Sequence, residues 1–207
     1  MKKLLSTIVL FLFFTLTLTN SLLADSPAAD SNEVKNYVQS LLNNTFNILN
    51  DTNMPIENKK QKIRILLGDN LDTQSMSNRS LGRLKNNYQP EELNKFTSTY
   101  KEYLINNYAN SVENYKGQDV KIKAINKVKE NYYTVETEII SDGDQIFNVN
   151  YLVKKESSIF KVLDISTEGI SLVSTQQREF SQILNNNSLA FLIDRLKTKS
   201  SQSDTNE

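Results

Sequence analysis

Carboxylates are the first candidates for chemistry in this sequence. Glu136 and Glu138 stand two residues apart, and Asp142 and Asp144 flank Gly143. A carboxylate pair serves as acid and base only when its surroundings drive the two pKa values apart. Glu136 and Glu138 fall on the polar side of an alternating segment, which makes them solvated surface groups. A calcium loop needs six or more oxygen ligands ending in a distal carboxylate, and Ser141-Asp142-Gly143-Asp144 has no such set. Asp142-Gly143 reads instead as a hairpin turn. Arg79, Arg83 and Lys85 would suit a phosphate or an acidic partner, although a basic stripe is usually a solvated helix face. The 207 residues include no His and no Cys, which removes imidazole metal sites, Ser–His and Cys–His catalysis, disulfides and zinc knuckles. Lys and Arg together number 24, as do Asp and Glu, so the basic surplus of a nucleic-acid-binding protein is missing. A carboxylate-dependent enzyme, a protein-binding adaptor module and a structural domain survive; with no placed Ser–Lys or carboxylate dyad an enzyme is not expected, nor a metal or a cofactor.

A second class of candidate is apolar. Phe96, Tyr100, Tyr103, Leu104 and Tyr108 share one face of a helix opened by Gln89-Pro90-Glu91-Glu92, with proline and two acids in its first turn. From Asp119 the period changes to two. Tyr133, Val135, Thr137 and Ile139 face one way, and Phe147, Val149, Tyr151 and Val153 do the same on the returning segment. These two apolar faces are expected to turn toward each other. Periodicity leaves two outcomes open, a packed core or an incompletely closed apolar cavity.

The elements that must position these faces follow a simple order. A leader at Pro27 to Ser31 precedes a helix over about Asn32 to Leu49, with Val34, Tyr37, Val38, Leu41, Leu42, Phe46 and Leu49 at three- and four-residue steps. Pro55 opens a second helix ended by Gly68, and a short helical piece spans Thr73 to Leu81. After the Pro90 helix come four strands in a meander, with turns at Asp142-Gly143 and Glu156-Ser157-Ser158. Two helices close the chain, Leu172 to Leu184 and Ser188 to Lys197. The expected architecture is α+β: a twisted four-stranded antiparallel sheet packed against several helices.

The ends read differently from the middle. Lys2 and Lys3 precede an apolar stretch from Leu4 to Leu18, with a cleavage site after Ala24, which is the order of a secretory signal peptide over residues 1–24. A single domain is expected over residues 25–198, and a disordered polar tail over 199–207.

The run from Asp164 through Glu168-Gly169-Ile170-Ser171-Leu172 to Val173, followed by Arg178-Glu179-Phe180, resembles the signature of the MlaC family. Leu71-Asp72, Met76, Leu81-Gly82-Arg83, Pro90-Glu91 with Phe96, Tyr103-Leu104, Tyr108-Ala109, Tyr115-Lys116-Gly117-Gln118 and Ile159-Phe160-Lys161-Val162 agree in order and spacing. The resemblance covers residues 34 to 197 and departs at Gln177 and Phe160, where many members have Tyr and Trp. It implies a monomeric periplasmic carrier that holds a glycerophospholipid by its acyl chains in an apolar cavity between the layers. Its implied partners are an inner-membrane ABC transporter with MCE-domain subunits and an outer-membrane lipoprotein–porin complex. On that resemblance Phe96, Tyr100, Tyr103, Leu104, Tyr133, Val135, Ile139, Phe147, Val149 and Tyr151 are expected to line the cavity, with Ile170, Leu172 and Val173 near its mouth.

Overall fold

The computed structural model describes residues 27–115, 117–141 and 145–202. The expected signal peptide, the Asp142-Gly143 turn and residues 203–207 of the expected tail lie outside these. Helix α1 spans Pro27–Asn50, α2 Ile56–Asn70, α3 Thr73–Leu81 and α4 Pro90–Asn110. Strands β1 Asp119–Lys129, β2 Tyr132–Ser141, β3 Gln145–Glu156, β4 Ile159–Thr167 and β5 Ile170–Ser171 follow, then α5 Leu172–Leu184 and α6 Leu189–Gln202. Local chemistry accounts for several starts. The Asp72 carboxylate accepts from the Ser75 amide at 2.9 Å, Glu92 accepts from the Gln89 amide at 2.9 Å, and Ser171 Oγ accepts from the Ser174 amide at 3.0 Å. Gly82, at φ +56, ends α3 where a Cβ would meet the Gln177 side-chain amide at 2.1 Å.

The sheet is antiparallel with strands in chain order, and it has five strands where four were expected. The additional strand has only two residues, paired through Ser166–Ser171 and Thr167–Ile170, too short for periodicity to register. In β4 the register slips by one: Leu152 opposes Asp164 while Val153 opposes Val162. Leu163 is therefore an extra residue, and a bulge of this kind leaves backbone groups unpaired. Arg79 Nη1 donates to the Leu163 carbonyl at 2.8 Å, and its Nη2 donates to Asp164 at 3.1 Å. The residue read from sequence as part of a basic stripe is thus committed to repairing the bulge.

Two end assignments are corrected. The segment from Pro27 to Ser31 is helical, because Asp30 on it is buried against the sheet. Residues 199–202, expected in the polar tail, continue α6, where buried Ser200 accepts a hydrogen bond from Asn106 of α4 at 2.9 Å. Composition suggested disorder there, and a tertiary contact overrides it.

Asp30 fixes how the first helix meets the sheet. Its carboxylate accepts from Lys155 Nζ at 2.7 Å and from the Tyr133 hydroxyl at 2.9 Å, with Lys127 Nζ at 3.9 Å. Lys155 also reaches Glu33 at 2.8 Å. The hydrogen bond from Lys155, then that from Tyr133, holds the Asp30 carboxyl below its ordinary range. Beside this cluster Val34, Val38, Tyr133, Val135 and Val153 are all fully buried. Replacing Asp30 by Ala should lower stability by about 1–3 kcal/mol, since Tyr133 and Lys155 lose a buried acceptor. A carboxyl whose folded pKa is depressed contributes above its unfolded pKa and loses that contribution as pH falls through the folded one. The difference in urea midpoint between wild type and D30A should therefore be full at neutral pH and shrink well below about pH 4.

Candidate functional site

Tight packing holds at the Asp30 end of the sheet and fails at the other. Along β3 the residues facing the helices run from Val153, fully buried, through Tyr151 and Val149 to Phe147, which is 41% exposed. On α1 the change is parallel, from Val34 and Val38 in the core to Leu41, Thr45 and Phe46, which are half-buried. Between them lies a hollow of about 350 Å³. Its roof is Leu41, Leu42, Thr45 and Phe46 of α1 with Ile63, Leu66, Leu67 and Asn70 of α2. Its floor is Val120, Ile139, Val149, Tyr151 and Ile165 from four strands, with Tyr108 of α4 at the side and Thr167 at the rim. A shallower depression of about 330 Å³, lined by Leu49, Tyr115, Gln118 and Phe147, shares Phe46 and Ile139 with the hollow and continues it outward.

Polar groups in the hollow are nearly all occupied elsewhere. Thr45 Oγ1 donates to the Leu41 carbonyl at 2.8 Å. Asn70 accepts from the Tyr37 hydroxyl at 3.0 Å and donates to the Leu66 carbonyl at 2.7 Å. The Thr137 hydroxyl beside Tyr151 donates to the Val149 carbonyl at 2.8 Å. Burial pushes the Tyr108 phenol up to about 12, and Tyr151 is raised for the same reason, so both remain neutral. Among the described residues no carboxylate or ammonium lines the hollow. Among the described residues no group of three or more His, Cys, Asp or Glu could hold a metal ion. Such a space can solvate hydrocarbon; it offers neither a nucleophile nor a base.

A groove of about 440 Å³ on the opposite face of the sheet is larger but mixed in character. It is lined by Ser75, Asn78, Arg79, Val128, Lys129, Tyr132, Leu152 and Leu163. Its cations are engaged, Arg79 with Asp164 and Lys129 with the Tyr132 ring, whose centroid lies 4.1 Å from Nζ. Glu136 and Glu138, also on that face, receive hydrogen bonds from Asn126 at 2.7 Å and Lys123 at 3.0 Å.

The residues expected in the site from sequence are dispersed. Ile139, Val149 and Tyr151 line the hollow, and Phe147 lines the depression beyond it. Tyr133 and Val135 belong to the filled end of the same sheet face. Phe96, Tyr100 and Leu104 are buried in the core, and Tyr103 packs against it. Two residues of the aromatic face of α4 meet α5: Phe96 and Tyr100 lie edge-on to the Phe180 ring at 6.0 and 6.4 Å, and Tyr100 donates to Gln176 at 2.6 Å. Val173 is buried there as well, with Leu172 packed beside it. Ile170 is 63% exposed, opposite Thr167 at the rim. The helices facing the hollow are α1 and α2. Their apolar stripes were readable, but a stripe does not name the surface it meets. The strand residues Val120, Ile165 and Thr167 were findable by extending the alternation that revealed Ile139 and Val149.

The family model described as "MlaC protein" matches residues 39–198. The chain belongs to the MlaC family. No curated protein matches it. Among solved structures, this MlaC chain is similar to the phospholipid-binding protein from Ralstonia solanacearum in complex with a phospholipid, with a TM-score of 0.68 and 22% identity over 84% of this chain and 98% of that one. At that identity the likeness speaks for a shared fold. Among the described residues no helix is long and apolar enough to cross a membrane.

The hollow and the filled end make opposite predictions for added volume. Val149→Phe should fold with little change in thermal midpoint, because its ring enters empty space. Val135→Phe, in the filled end, should cost about 1–3 kcal/mol in urea unfolding.

Proposed function

We propose that this protein is a periplasmic carrier that binds a glycerophospholipid by its acyl chains. The observation that carries the reading is the apolar hollow of about 350 Å³ between α1, α2 and the sheet. A methylene occupies roughly the volume of a water molecule, ~30 Å³, so the hollow takes on the order of a dozen methylenes. Burying them is worth about 0.8 kcal/mol each, close to 10 kcal/mol for one chain. The depression past Phe46 and Ile139 extends the apolar floor for the rest of the cargo. Membership of the MlaC family and the phospholipid bound to the Ralstonia relative support the same ligand class.

The rest of the role follows from the chemistry of release. A ligand held by hydrocarbon burial leaves readily only into another apolar environment, where transfer is nearly isoenergetic. The carrier would therefore exchange lipid with membrane complexes: an outer-membrane lipoprotein–porin assembly on one side and an inner-membrane ABC transporter bearing MCE-domain subunits on the other. That exchange would maintain the lipid asymmetry of the outer membrane. Residues 1–24 supply the export signal. The role is binding and transport, without catalysis. An adaptor acting through a basic helix face has less support, since Arg79 points inward to Leu163 and Asp164.

Gentle purification, organic extraction and mass spectrometry should recover about one phospholipid per protein. Val149→Phe should fold and retain little or none. An empty extract from wild type, under conditions that preserve lipid in other carriers, would falsify the carrier reading.

A further inference from the structure

Among the described residues, Tyr108 of α4 brings a phenol to the side of the hollow. Thr45 and Asn70 are each bonded within the protein, and Thr167 is exposed at the rim. Tyr108 lines the hollow, is 37% exposed, and has no hydrogen-bond partner among the described residues. Its phenol, surrounded by protein, remains protonated at any physiological pH and so is always a donor. Filling the hollow with hydrocarbon alone would strip water from this hydroxyl and offer nothing in return. A ligand that brings an acceptor to the same place avoids that loss. The first acceptor met along a fatty chain is its acyl carbonyl.

Resting on the carrier reading above, we infer that Tyr108 is a specificity-determining residue whose hydroxyl donates to an acyl carbonyl of the cargo. The polar end of the lipid then lies beside Tyr108, and the chain extends toward Ile139, Phe46 and Phe147. The site selects for ester-linked chains and is indifferent to the headgroup. A hydrocarbon tail of equal length without a carbonyl fills the same space but leaves the phenol unpaired.

The test is a competition between two phospholipids identical in headgroup and chain length, one ester-linked and one ether-linked, offered together to the delipidated full chain. Wild type should retain the ester form in roughly five- to tenfold excess by mass spectrometry, the ratio expected of one buried hydrogen bond. Tyr108→Phe should bring the ester-to-ether ratio of whatever lipid it retains close to one. A wild-type ratio near one overturns the inference without reference to any variant, and so does a variant that keeps the wild-type preference. Retention of neither lipid by wild type would instead remove the carrier reading, and this inference with it.

Discussion

The hydrogen-bonded ion cluster at Asp30 sets the geometry on which everything else depends. It joins α1 to the sheet at one end only, through Tyr133 and Lys155 from adjacent strands. A buried carboxylate is costly unless it is paired and fully hydrogen-bonded, and here two strong donors satisfy it. With the helix fixed there, its first turns pack tightly on Tyr133, Val135 and Val153. Farther along, Leu41, Thr45 and Phe46 face empty space over Val149 and Tyr151. Filled and hollow regions share one helix and one sheet face, and what separates them is distance from the anchor.

The opposite side of the sheet is held by a second polar centre. Asp164 accepts from Arg79 at 3.1 Å, from the Ser171 hydroxyl at 2.7 Å, and from the amides of Ile165 at 2.9 Å and Val173 at 3.2 Å. One carboxylate thus ties α3, the β4 bulge and the start of α5 together, with all its main acceptor positions used. Phe96, Tyr100 and Phe180 interlock in the helical layer beyond it. A closed polar network and a close-packed aromatic cluster make this part of the molecule a rigid wall. The hollow is consequently bounded by one firm side.

This arrangement explains why a chain with ordinary charge content has so little chemistry on offer. Asp30, Lys155, Arg79 and Asp164 are consumed in holding helices to strands, and Thr45, Asn70 and Thr137 at the hollow donate to backbone carbonyls. An interior of that kind gains affinity from area and not from specific contacts. Tyr108 has no hydrogen-bond partner among the described residues, and an unpartnered phenol beside an apolar space is a place where a ligand's polar atom makes a difference.

The sequence by itself determined the elements. Periods of 3.6 and 2 marked the helices and four of the strands, Pro55 and Pro90 marked two helix starts while α2 runs past the expected stop at Gly68 to Asn70, and the lack of His and Cys removed whole classes of catalysis. It also carried the family signature, with Glu168-Gly169 at the corner now seen as the β4–β5 turn. Only the tertiary structure decided which apolar face meets which. Phe96 and Tyr100 have the same helical spacing as Leu42 and Phe46, yet the first pair is buried against α5 and the second roofs a cavity. Periodicity reports that a face avoids water, and a filled core and an empty pocket avoid it equally. Where Asp30 binds, and how far from it the layers remain in contact, is a long-range fact, set by residues more than a hundred positions apart in the chain.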